Sequence, residues 1–204
     1  MKSNLFLPAL VISVLTACGP TSHTNPPAEK SGDTTSVKDY SLTMPRIWEA
    51  KTATGKVVMI TETHPKGASL SDLKIHFQGD SSNSVRFTDV DPVSATVTGD
   101  LDKNGFDEIY FVTTSVGTGS YGNLLGVSSN KDKSLSLMFF PEMDPNDKQP
   151  GKLFDGYEGH DRYAIENNVL IRRFPFKGDT NNMKSVPYQI LMGEGGYIVT
   201  PKRN

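Results

Sequence analysis

Asp100, Asp102 and Asn104 stand at alternate positions in "GDLDKNGFDEI", and Gly105, Phe106 and Glu108 follow. Oxygen atoms at loop positions 1, 3, 5 and 9, with a backbone carbonyl at 7, form a cage for a hard cation such as calcium. Asp100, Asp102, Asn104 and Glu108 supply the side-chain oxygens, and Phe106 supplies the carbonyl. Gly105 allows the sharp turn such a loop needs. The competing reading is an acidic β-turn between two strands with no metal. Asn104 in place of an aspartate lowers the ligand charge.

The spacing resembles the calcium loops of EF-hand-like and FG-GAP modules. Position 12 of a true EF-hand is acidic, and here it is Phe111. The flanking residues read as strands, not helices, which disfavours an EF-hand.

A second chemical feature is "SVGTGSYGN", residues 115–123. It combines glycines, hydroxyl groups and one aromatic ring between two apolar runs. A tight hairpin needs only two turn residues. No "GK[ST]" follows, so the loop does not read as a phosphate cradle. Nor does a helix N-terminus stand behind it to hold an anion.

Catalytic groupings are sparse. His64 lies in a predicted turn, His76 within a strand, and His23 in a polar tract. His160 and Asp161 are adjacent and could form an orienting pair, or serve only to satisfy loop backbone. There is no "HExxH" and no "GxSxG", and the single cysteine, Cys18, is not placed as a nucleophile. The expectation is a protein that is not an enzyme and requires no cofactor.

The elements that must position these residues are short β-prone runs: 56–63, 73–79, 84–90, 94–100, 107–115, 121–129, 134–140, 162–167, 169–176, 188–192 and 197–200. Many alternate apolar with polar, as half-buried strands do. Asn167-Asn168 and Gly195-Gly196 sit where hairpins turn. "PRIWEA" (45–50) reads either as a helical turn or as an edge segment. Residues 143–161 form a long stretch rich in Pro and Gly, of the kind that is either functional or ordered by specific contacts. No run has a sustained helical period. The fold class expected is all-β, an antiparallel sandwich or barrel-like domain.

The N-terminal segment has different properties. Residues 1–17 carry Lys2, an apolar stretch and then small residues, the pattern of a secretory signal. "LTAC" resembles a bacterial lipobox, which implies cleavage before Cys18 and lipid on its thiol. The alternative is a plain signal peptide that happens to contain a cysteine. Gly19 replaces the aspartate that favours inner-membrane retention, so the expected address is the outer membrane, facing the periplasm or elsewhere in the envelope. Residues 18–39 are rich in Pro, Ser, Thr and Gly and read as a tether. Residues 40–204 form the expected β domain. Lysine and arginine total 21 against 23 acidic residues, a net charge of −2. No basic stripe indicates nucleic acid.

Three segments in this order carry a resemblance: "GDLDKNGFDEIYFVTTSVGTGSYGNLLG" (99–126), "GYEGHDRYAIENNVLIRRFPF" (156–176) and "GDTNN" (178–182). Together they resemble the periplasmic inhibitors of invertebrate-type (i-type) lysozyme, the PliI family. The likeness covers residues 95–200, with a looser fit from 40. It implies an antiparallel β-sandwich-like fold and a non-enzymatic role, blocking i-type lysozyme by inserting a loop into its cleft. The family's inhibitory pattern is Ser-Gly-x-Tyr. Here that place is Thr118-Gly119-Ser120-Tyr121, with Thr118 replacing Ser. The resemblance also implies a second contact from Tyr157 to His160. The alternative function is a calcium-stabilised envelope lipoprotein that binds glycan or protein.

Overall fold

Ile109, Tyr110, Phe111 and Val112 are consecutive and all buried. An ordinary sandwich strand alternates buried with exposed positions. A strand covered on both faces reads instead as a continuous apolar run, and "EIYFVTT" is such a run. The computed structural model describes residues 44–203 apart from Lys66. It is all-β and antiparallel, as the sequence predicts, and the sheets do not close into a barrel.

Among the described residues, strands β1 (Arg46–Lys51), β2 (Val57–Thr63), β3 (Ser71–Phe77) and β4 (Val85–Val90) form the first sheet, in sequence order. The second sheet is β5 (Val93–Gly99), β6 (Glu108–Thr114), β7 (Gly122–Ser129) and β8 (Leu135–Leu137), also in order. The third contains β9 (Arg162–Glu166), β10 (Val169–Phe176), β11 (Asp179–Gly193) and β12 (Gly196–Pro201), ordered β12-β11-β10-β9. The second sheet is the middle layer. Val58, Ile60, Leu73, Ile75 and Phe77 of the first sheet pack on Ile109, Phe111 and Val127. On the opposite face, Tyr110, Val112 and Leu124 pack on Leu170 and Val199 of the third sheet. Each large side chain buried this way contributes about 1.5–3 kcal/mol.

Segment 45–50, ambiguous in the sequence, is mostly the edge strand β1. The Asn167-Asn168 hairpin is present, with φ of 51° and 59° at the two residues, the left-handed pair of a type I′ turn. Lys177 and Gly178 make a second such turn, with φ of 50° and 75°. The last hairpin differs from expectation by one residue. Gly193 pairs with Gly196, so the turn is Glu194-Gly195. "GDTNN", which lies outside the predicted strands, largely forms the start of β11. That strand changes partners along its length. Up to Pro187 it pairs with β10, and from Tyr188 with β12. Pro187, which has no N–H to donate, sits at the changeover.

Segment 143–161 is ordered by contacts. It contains a 3-10 turn, Pro145–Lys148, and seats Phe154 on Phe174 and Val186 of the third sheet. Among the described residues, no helix is long and apolar enough to cross a membrane. The signal, Cys18 and the tether lie outside the described residues.

Candidate functional site

Thr114 and Gly122 are the last paired residues of β6 and β7. The loop between them is closed at its neck: Ser115 N donates to Tyr121 O (2.9 Å), and Tyr121 N donates to Ser115 Oγ (2.9 Å). At the tip, Ser120 N donates to Gly117 O (3.1 Å), a turn with Thr118 and Gly119 at its centre. Thr118 is exposed, while Gly119 and Ser120 are half-buried. The Tyr121 ring lies over Gly119, where any side chain would collide with it. It remains 47% exposed.

A second loop supports the first from beneath. His160 N donates to Gly119 O (3.3 Å) and Ser120 O (3.1 Å). The side chain of His160 is exposed, and its backbone makes the contact. Gly159 has φ +95°, and a Cβ there would strike the carbonyl oxygen of Gly119. Only glycine fits both the left-handed backbone and the close approach. Tyr157 places its ring 5.9 Å from that of Tyr121 and 5.0 Å from that of Phe174. It therefore joins the projecting loop to the core.

Below both loops lies a buried polar network. Arg172 Nε donates to Asp161 Oδ1 (2.6 Å), and the Asp161 side chain is 0% exposed. Asp161 Oδ2 accepts from Gly122 N (2.7 Å) and from the Tyr157 hydroxyl (2.6 Å). Arg172 Nη2 donates to Gly122 O (3.2 Å) and to the Tyr157 hydroxyl (2.7 Å). One residue at the loop's exit, Gly122, is thus held through both its N–H and its C=O. The guanidinium also lies 4.7 Å from the Tyr157 ring and 5.6 Å from that of Tyr163. Burial holds the Tyr157 hydroxyl above the usual phenol range, with Arg172 opposing and Asp161 reinforcing the shift. It therefore stays protonated and keeps donating to Asp161. In the adjacent pair His160–Asp161 the two residues diverge: Asp161 turns inward to Arg172, and His160 is exposed.

Thr118, Gly119, Ser120, Tyr121, Tyr157 and His160 are all brought together. Sequence reasoning missed Asp161 and Arg172 as the support. The signal was present in "VLIRRFPF", where Leu170, Arg172 and Phe174 share the inward register. A charge at such a position must be paired. Beside Tyr121 opens a cleft of about 620 Å³ whose lining includes Tyr157, Tyr163, Tyr188, Phe139 and Phe140.

The acidic loop stands at the opposite end of β6. Carboxylate oxygens of Asp100, Asp102 and Glu108 lie within 4.8 Å of one another. Asp100 accepts from Asn104 N (2.9 Å) and Gly105 N (2.9 Å). Asn104 Oδ1 accepts from Phe106 N (2.8 Å). Burial, opposed by the Leu101 N–H and reinforced by Asp102, Asp100 and Asp107, pushes the Glu108 carboxyl up to about 7.

No protein-family model and no curated protein matches the chain.

Proposed function

We propose that this chain is a protein inhibitor of i-type lysozyme, held in the bacterial envelope by lipid on Cys18 and catalysing nothing itself. The inhibitory element is Thr118-Gly119-Ser120-Tyr121. One observation carries the reading. The loop is fastened at its neck, its underside and its exit, yet presents Thr118 and one face of Tyr121 to solvent. Such preorganisation removes the ordering cost that a mobile loop would bear on binding. A glycosidase cleft presents two carboxyl groups. The Thr118 hydroxyl can hydrogen-bond to such a group, and Tyr121 has the ring and hydroxyl to fill a sugar subsite. Tyr157 and His160 act in support: the Tyr157 hydroxyl is committed inside, and its ring backs Tyr121.

The test is inhibition of purified i-, c- and g-type lysozymes. Selective inhibition of the i-type enzyme is expected. Undiminished i-type activity at a large excess of the protein would sink the reading.

A second reading rests on the aromatic cleft beside Tyr121. Rings of this kind stack on sugars, so the alternative is a glycan-binding envelope module. It predicts binding of peptidoglycan fragments without lysozyme, weakened by Phe139→Ala. The inhibitor reading predicts that Phe139→Ala leaves lysozyme inhibition within about threefold, because a residue outside the binding hot spot contributes little.

A further inference from the structure

Among the described residues, two glutamates are fully buried, and they differ in how they are satisfied. Glu62 accepts from Trp48 Nε1 (3.0 Å), Ser71 Oγ (3.0 Å) and Val93 N (2.9 Å), with Arg46 at 3.4 Å. Glu108 is 0% exposed and accepts one bond, from Leu101 N to Oε2 (2.8 Å). Its Oε1 is buried with no hydrogen-bond partner among the described residues. Leaving a buried carboxylate oxygen unpaired is costly. The cost rises here because Asp100 and Asp102 crowd like charges around it.

We propose that Asp100, Asp102 and Glu108 hold a calcium ion. An ion at this place would compensate the under-coordinated, buried Glu108 carboxylate and cancel the repulsion among the three carboxylates. The alternation along the loop adds Asn104 and the Phe106 carbonyl as further oxygen donors. The backbone N–H groups of Asn104 and Gly105 already fold the loop around Asp100. The donors are all oxygen, with no His or Cys, which disfavours zinc and copper. Carboxylates mixed with a backbone carbonyl on a short loop suit calcium better than the strict octahedron of magnesium.

The ion also ties layers together. Tyr197 of β12 donates its hydroxyl to Asp102 Oδ2 (2.5 Å), so the site joins the β5–β6 loop to the third sheet. Glu108 and Thr114 bound β6, and at about 3.3 Å per residue they stand roughly 20 Å apart. The calcium is therefore structural and remote from the projecting loop. This inference does not depend on the inhibitor reading.

The experiment is calorimetry on the purified protein after chelation, with calcium chloride and magnesium chloride added separately. One calcium per chain is expected. The melting temperature should rise by about 5–10 °C at a hundredfold excess over Kd. Magnesium at the same concentration should bind at least tenfold more weakly. Glu108→Gln keeps the side-chain shape and removes a ligand charge. It should abolish the calcium-dependent rise and, without calcium, melt no lower than the wild type. Asp100→Asn, at the more open side, should weaken calcium binding at least tenfold and serves as the test should the Glu108 variant fail to fold. Absence of binding heat together with equal melting in calcium and in chelator would overturn the proposal. So would calcium binding that both variants leave unchanged, or magnesium binding as tight as calcium.

Discussion

Arg172 and Asp161 form a buried ion pair, 2.6 Å from Nε to Oδ1, and the same two side chains hold both polar groups of Gly122. Removing one partner leaves the other charged, buried and without a counter-charge. Arg172→Ala is expected to lower the unfolding free energy by about 3–5 kcal/mol. Arg172→Lys should rescue only part of it, because an ammonium cannot reproduce the guanidinium fork. Urea denaturation followed by circular dichroism reads both. A loss below about 1 kcal/mol for the alanine variant would mean that the pair does not support the loops.

Gly159→Ala is expected to disturb the contact between the loops. The left-handed backbone and the collision with Gly119 O together should cost about 1–3 kcal/mol. Inhibition should fall at least tenfold, because the loop loses its support. An alanine variant with wild-type inhibition would show that the second loop does not shape the first.

Thr118 and Tyr121 test the face that meets the enzyme. Tyr121→Ala should weaken inhibition about 30-fold or more, the loss of an aromatic anchor of at least about 2 kcal/mol. Thr118→Ala should lose about 1.5–3 kcal/mol of binding through its hydroxyl. Thr118→Ser keeps the hydroxyl and should inhibit as well as the wild type or better. All three should unfold within about 1 kcal/mol of wild type, because exposed loop residues contribute little to the core. Folded alanine variants with unchanged inhibition constants would move the contact away from this loop.

Cys18→Ala tests the anchor. The variant is expected to leave the membrane fraction or to remain unprocessed. Membrane fractionation and cleavage identical to the wild type would rule out lipid on Cys18.

Much of the fold was legible because burial imposes a period. β2 and β3 alternate strictly between half-buried and buried positions, and "LKIHF" shows it in the sequence. β6 was legible as a strand, and its continuous apolar run marks cover on both faces without naming the sheets that supply it. The start of β11 was not legible. Asp179 to Asn182 are exposed on both faces, so no apolar pattern marks them; Asp179 pairs with Phe176 of β10, and the regular register begins only at Met183, opposite Pro175. The projecting loop could be read from its glycines and hydroxyls. Of its support, only Arg172 left a sign, as a charge at an inward position; its pairing with Asp161, 11 residues away in sequence, forms only through the register of β9 and β10.

The middle position of β6 has a consequence for how the protein breathes. Amides covered on both faces by packed sheets open only when the whole domain unfolds, whereas edge strands fray on their own. Ile109 to Val112 should therefore be among the slowest amides to exchange with deuterium. The projecting loop grows directly from this strand. Its root stays closed while the edges β1 and β4 open and reclose. A protease that needs an unravelled stretch of chain to cleave would find the loop accessible but not extended, and would cut first elsewhere.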